Sequence, residues 1–309
     1  MGLSITPLPL SMTGAALRAA VLEAVVLAGH LLLYPTGVLE ERPAPAAPNA
    51  DPEPGAPSAD VEPGAAGAPP APPGQRPPVL LLHGFTDNRS VFVLLRRALG
   101  ADGLRRVETY NYSPFTRDLR VTARHLARRV EELCERSGQD RVDLVGHSLG
   151  GLVARYYVQR LGGDARVRTL VTLGTPHAGT RVAPFMDAHP LVRQMRPESE
   201  VLTELGAPSP GCRTRCVAFW SEFDALMAPT GTARIEHPDL DATNVQVTGI
   251  GHLALPVHPT VITAVRRALD GPITDATAPA KPSSAPATPA APSTGTTASA
   301  GTEDRSLAI

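Results

Sequence analysis

The amino-acid sequence predicts an α/β domain: a doubly wound, mostly parallel sheet of about six strands with helices on both faces. Three observations carry this reading. Short apolar runs alternate with stretches of helical spacing from Val79 to Leu269. The first run, Val79–Leu82, shows no polar alternation, as a strand covered on both faces requires. A later run, Val142–Val145, passes through Gly146-His147-Ser148-Leu149-Gly150 straight into a helical stretch, a strand–turn–helix arrangement around a single serine.

Composition bounds the foldable part. Residues from about 41 to 77 are dominated by Pro, Ala, Gly and acidic side chains, and residues 272 to 309 by Ala, Thr, Pro and Ser. Neither segment buries enough apolar surface to offset its chain entropy, so a linker and a disordered tail are expected there. The domain is expected over 78–271, long enough for a real core. Formal net charge is −1, and no basic cluster is interleaved with aromatics, which argues against nucleic-acid binding. Of the 29 basic residues only Lys281 is lysine, a bias of genome composition rather than of function. No Cys or His spacing suggests a metal site, and no cofactor is expected. Cys134 falls in a helical pattern and reads as a small buried hydrophobe. Cys212 and Cys216, beside Pro210 and Gly211, are close enough for a local disulfide if the protein is exported; two unrelated thiols is the alternative.

Taken in order, residues 1–40 contain an apolar helix, Thr13–Tyr34, ended by Pro35 and Gly37 and carrying Arg18, Glu23 and His30 as its strongly polar members. It is too interrupted for a clean membrane span and lacks the basic start of a secretory signal. A signal-like or anchoring segment, an interfacial helix in contact with lipid, and a helix docked on the domain all remain open. After the first strand, His83-Gly84-Phe85 forms a loop in which glycine permits close backbone approach to a ligand. Helical spacing follows at Ser90–Leu99, a strand at Val107–Tyr110, and an amphipathic helix at about Asp118–Glu135. The helix after the serine covers about Leu149–Leu161, and the strand Val167–Leu173 ends on Gly174-Thr175-Pro176-His177. Residues Arg181–Pro210 read as an insertion whose strongest helical piece is Glu198–Leu205. Strands at Cys216–Trp220 and Asn244–Val247 and a helix at Val257–Leu269 complete the domain.

The chemistry converges on Ser148. A strand turning at once into a helix holds this residue in a cramped backbone conformation, and glycines two positions to either side leave it room. Its Oγ lies near a helix N-terminus, which favours developing negative charge. The N–H groups of Leu149 and Phe85 are the candidate oxyanion donors. Ser221-Glu222-Phe223-Asp224 leaves a strand end with two carboxylates able to orient a histidine; Asp224 is favoured because it clears the strand, and Glu222 stays in play. Gly249-Ile250-Gly251-His252 leaves the last strand, with two glycines giving a mobile loop that brings the imidazole over the serine. His252 is therefore the candidate base. His177 reads as a loop-structuring residue lining the site.

With these residues in place the chain resembles the α/β-hydrolase fold, and within it the bacterial lipases and esterases that include the minimal Bacillus lipase and actinobacterial triacylglycerol lipases. The similarity covers about Val79–Gly271 and rests on Leu80–Phe85, Val142–Gly151, Thr172–His177 and Asn244–Leu253. It implies a triad of Ser148, Asp224 and His252 and an oxyanion hole from Phe85 and Leu149; His83, Gly84, His147, His177 and Leu253 are expected to line the substrate cleft. It implies a monomer that hydrolyses a small-molecule or lipid ester of short to medium chain without cofactor. An acyltransferase using the same acyl-serine, and a non-catalytic binding protein on the same fold, are the rival readings. The minimal lipase carries alanine where Gly146 stands, and the segments outside the domain have no counterpart in it. The apolar helix, the Pro-rich flanks and the close Cys212/Cys216 pair point to a secreted or envelope-associated protein.

Overall fold

The computed structural model describes residues 14–37, 75–85, 87–112, 116–181 and 189–271. Most of the linker, the tail expected over 272–309 and part of the insertion, 182–188, lie outside the described residues.

Six strands form one parallel sheet: β1 (Val79–Leu82), β2 (Val107–Tyr110), β3 (Val142–His147), β4 (Val167–Leu173), β5 (Arg215–Ser221) and β6 (Asp241–Val247), in the order β2-β1-β3-β4-β5-β6. Both β1 and β3 are buried along their whole length, which explains their unbroken apolar character. Two apolar layers clothe the sheet. One contains Leu80, Leu82 and Leu144 with α3 (Leu119–Ser137), α4 (Leu149–Arg160) and α6 (Glu200–Gly206). The other contains Val79, Leu81, Val145 and Val171 with α2 (Val93–Leu99) and α7 (Pro259–Asp270). Because strand side chains alternate in direction, consecutive leucines of β1 serve opposite layers.

Charge closes the strand-start end of the sheet. Asp143 on β3 is fully buried and takes a two-pronged bond from Arg168, Nε at 2.9 Å and Nη2 at 2.5 Å, with Arg105 Nη1 at 3.6 Å. The insertion contributes α5 (Pro190–Gln194) and α6, the latter tied down by Glu204, which accepts from Arg120 on α3 and Tyr156 on α4.

The N-terminal helix α1 runs from Gly14 to Gly37, three residues beyond the end expected at Tyr34. Proline in the last turn is tolerated because few backbone bonds remain to be broken there. The helix docks on the domain: Leu22 and Val26 join the second apolar layer, and Asn88 Nδ2 donates to Tyr34 O at 2.9 Å. Gly37 lies so close to Asn88 and to Ser90 N that a Cβ could not be accommodated.

Of the two readings of the close cysteine pair, the structure has the unbridged one. Cys212 and Cys216 are both free thiols. Cys216 faces the core from β5 with its Sγ toward Thr214 O, whereas Cys212, in the preceding turn, points at Asp164. Burial pushes their thiols up, to about 11 and about 12 respectively.

Candidate active site

Ser148 follows β3 and caps α4 with φ 52 and ψ −121, a left-handed conformation rare for any residue with a side chain. Its flanks explain how the strain is held. A Cβ on Gly146 would come within 2.5 Å of Gly151 N, and one on Gly150 would collide with the carbonyl oxygens of Leu82 and His83. Ser148 N donates to Leu173 O at 2.9 Å and Ser148 O accepts from Thr175 Oγ1 at 3.0 Å, so the turn is clamped to the end of β4. Gly84 backs onto the serine; a Cβ there would lie 3.5 Å from Ser148 Cβ. The His83–Phe85 turn is thus beside Ser148, and Leu149 begins α4, where first-turn N–H groups lack helical partners.

On the other side, His252 Nδ1 lies 2.8 Å from Asp224 Oδ2, both side chains almost completely buried. Asp224 is held in turn: its Oδ1 accepts from Leu226 N at 3.0 Å and Met227 N at 3.2 Å. Glu222 faces solvent and takes Gln246 Nε2 instead. Burial pulls the His252 imidazole down, but Asp224, reinforced by Asp87 and Glu23, more than compensates and leaves its pKa above the ordinary histidine value.

The chain matches the family model described as the alpha/beta hydrolase fold over residues 77–198. Solved structures extend the likeness through the rest of the domain. Aspergillus fumigatus lipase B superposes with a TM-score of 0.60 at 18% identity, covering 80% of this chain and 68% of that one. The mature Bacillus licheniformis lipase BlEst2 gives 0.52 at 16% identity, covering 65% and 96%. A Listeria innocua gene product gives 0.51 at 19%, covering 65% and 96%. The domain has the α/β-hydrolase fold. Among curated proteins, triacylglycerol lipases of Pseudarthrobacter phenanthrenivorans and Burkholderia plantarii are each 31% identical over 119 residues, 36% of this chain and 36% and 32% of theirs. The chain thus matches only about a third of the length of these curated relatives.

Within this domain of α/β-hydrolase fold, the three histidines expected at the cleft, His83, His147 and His177, are all buried and bonded to protein groups. His83 stacks on Tyr112 with ring centroids 4.1 Å apart, and Tyr112 OH donates to His83 O. His147 is fully buried at the end of β3 with its Nε2 3.2 Å from His252 O. His177 pairs with Thr172 Oγ1 at 2.9 Å and lies 3.4 Å from Arg155 Nη1, and burial holds its pKa well below the ordinary value. All three stand at or just after strand ends, where the next turn folds over them. Leu253 stays half-buried beside His252, and Phe85 meets His189 edge-on at 4.7 Å. Among the described residues no group of three or more His, Cys, Asp or Glu is placed to hold a metal ion.

The acidic groups around His252 were not expected from the sequence. Asp87 Oδ2 lies 3.4 Å from His147 Nδ1, and Glu23 of α1 reaches the loop after His252. Asp87, just beyond the His83–Phe85 turn, was within reach of sequence reasoning; nothing local marks Glu23.

Proposed function

We propose that this protein is a serine carboxylic-ester hydrolase of the lipase/esterase type, working through an acyl-serine intermediate. The observation that carries the reading is the buried His252–Asp224 pair, whose imidazole lies 4.7 Å from the ring of His147, the residue before a serine held at positive φ. Asp224 fixes the imidazole with Nδ1–H toward the carboxylate, which leaves Nε2 as the basic atom. Ser148 Oγ attacks the ester carbonyl carbon while Nε2 takes its proton. The oxyanion formed is received by the N–H groups of Leu149 and Phe85, each worth on the order of 3–4 kcal/mol in the transition state. Collapse breaks the C–O bond, and the proton passes from His252 to the leaving alcohol. Water, deprotonated by His252, then releases the acid and restores the serine.

The triacylglycerol lipase relatives support an ester substrate, and short to medium acyl chains are the class proposed. Contact with a lipid surface is supported by α1, whose outward face leaves Val25, Leu31 and Leu32 exposed at 64%, 68% and 79%. Although its sequence reads as too interrupted for a clean span, the helix is by length and composition alone long and apolar enough to cross a membrane, which is compatible with export to the envelope or beyond. The test is hydrolysis of p-nitrophenyl butyrate together with fluorophosphonate labelling. Ser148→Ala is expected to lose about a million-fold in kcat and all labelling; near-normal turnover by this variant overturns the reading.

A further inference from the structure

The carboxylate of Glu23 is spent on the segment that follows His252. Its Oε2 accepts from Leu253 N at 3.0 Å and its Oε1 from Ala254 N at 2.9 Å, a contact spanning 230 residues of sequence. Two adjacent amides pointing the same way form an anion-binding concavity, and a carboxylate with one oxygen for each is the side-chain group that fills it. The loop makes room for it: a Cβ on Gly251 would lie within 2.6 Å of Glu23 Oε1. From the opposite direction His147 Nε2 donates to His252 O. The peptide group that follows the imidazole is therefore held at both ends, its carbonyl by His147 and its N–H by Glu23, side chains from two distant elements, β3 and α1.

We propose that Glu23 is a positioning residue for His252, its two amide bonds fixing the loop that carries the base, so that α1 is a working part of the hydrolase domain. The proposal rests on the ester-hydrolase reading for its kinetic consequence but not for its structural one. The charged and titratable groups facing His252 are Asp224 from the turn after β5, Asp87 from the loop after β1, His147 from β3 and Glu23 from α1, with His30 of α1 facing Asp87 and His147. Removing the Glu23 charge takes away one of the anions that favour imidazolium.

The full-length chain in mild detergent tests this with Glu23→Ala and Glu23→Gln. Steady-state hydrolysis of p-nitrophenyl butyrate from pH 4.5 to 9.5 should show kcat reduced about 10- to 100-fold in Glu23→Ala with KM within about twofold, the loss expected when a reacting group is misplaced. Glu23→Gln keeps one acceptor and should lose less. In both, the acid limb of the profile should move to lower pH. Titration of the His252 ring by NMR in the Ser148→Ala background gives a readout that needs no turnover, and its midpoint should fall in both variants. Folded variants with unchanged kcat and an unchanged His252 titration, differing only in melting temperature, would overturn the proposal. A wild-type chain that cleaves no ester would sink the hydrolase reading, while the titration would still decide the role of Glu23.

Discussion

The residue before Ser148 holds the backbone of His252: His147 Nε2 lies 3.2 Å from the carbonyl oxygen of His252, and the two rings are 4.7 Å apart. A carbonyl can only accept, so the proton of this bond sits on His147 Nε2. Strand β3 therefore delivers Ser148 to the site and also anchors the loop that carries its partner.

Replacing His147 by phenylalanine keeps the ring volume and removes the donor. The buried His252 carbonyl is then left short of a partner, at a cost of about 1–3 kcal/mol. The expected result is a kcat roughly tenfold lower and a melting temperature lower by several degrees, read by steady-state kinetics and calorimetry on the same preparation. An unchanged kcat would mean that the loop is held well enough without this bond.

Gly150 tests the elbow. A methyl group there meets the backbone oxygens of Leu82, the last residue of β1, and of His83 just after it, and backbone at this point cannot yield cheaply. Gly150→Ala should cost about 3 kcal/mol or more and lower the melting temperature by roughly 6–12 °C, if the protein folds at all. Gly206, where a Cβ meets nothing within 4 Å, is the control: Gly206→Ala should be neutral or slightly stabilising.

The pH profile follows from the environment of His252. In the proposed mechanism the neutral imidazole is the base, and the nearby carboxylates hold its pKa above the ordinary value, so activity should be lost earlier on acidification than for a free histidine. The acid limb of kcat/KM is expected above about pH 6.5. Asp224→Asn removes the largest stabiliser of the imidazolium, so the limb should move to lower pH while kcat falls on the order of 10⁴-fold. A limb that stays in place in this variant would point to another titrating group.

Acyl preference depends on what covers the cleft. Among the described residues of the insertion, α6 is tied to the body of the domain through Glu204, Arg120 and Tyr156, so this part is not free to act as a large lid. Esters of roughly four to ten carbons should be the best substrates, because longer chains gain little binding once they leave the groove. Initial rates against tributyrin concentration should rise smoothly through its solubility limit. A steep rise only above saturation, or a preference for triolein, would identify a lid, with α1 the first candidate.

The order of strands and helices was legible in the sequence because each is encoded locally. Unbroken apolar runs mark strands covered on both faces, and helical spacing marks the elements between them. The strained Ser148 was legible for the same reason: glycines at 146 and 150 record close backbone approach at fixed distances along the chain. The loop of His252 was marked by Gly249 and Gly251, though their roles differ from the mobility expected of them. Gly249 adopts φ 71, and Gly251 leaves space for Glu23.

Tertiary structure decided what side-chain direction and long-range contact control. Glu222 and Asp224 are two residues apart, and only the fold shows one facing solvent and the other facing His252. Cys212 and Cys216 have a spacing that permits a bridge, but the strand turns one thiol into the core while the other faces Asp164. The helix Gly14–Gly37 looks the same in sequence whether it leads into a membrane or folds back. Its docking is set by Glu23 meeting Leu253 and Ala254 and by Gly37 meeting Asn88, contacts across 51 to 231 residues that no local pattern encodes.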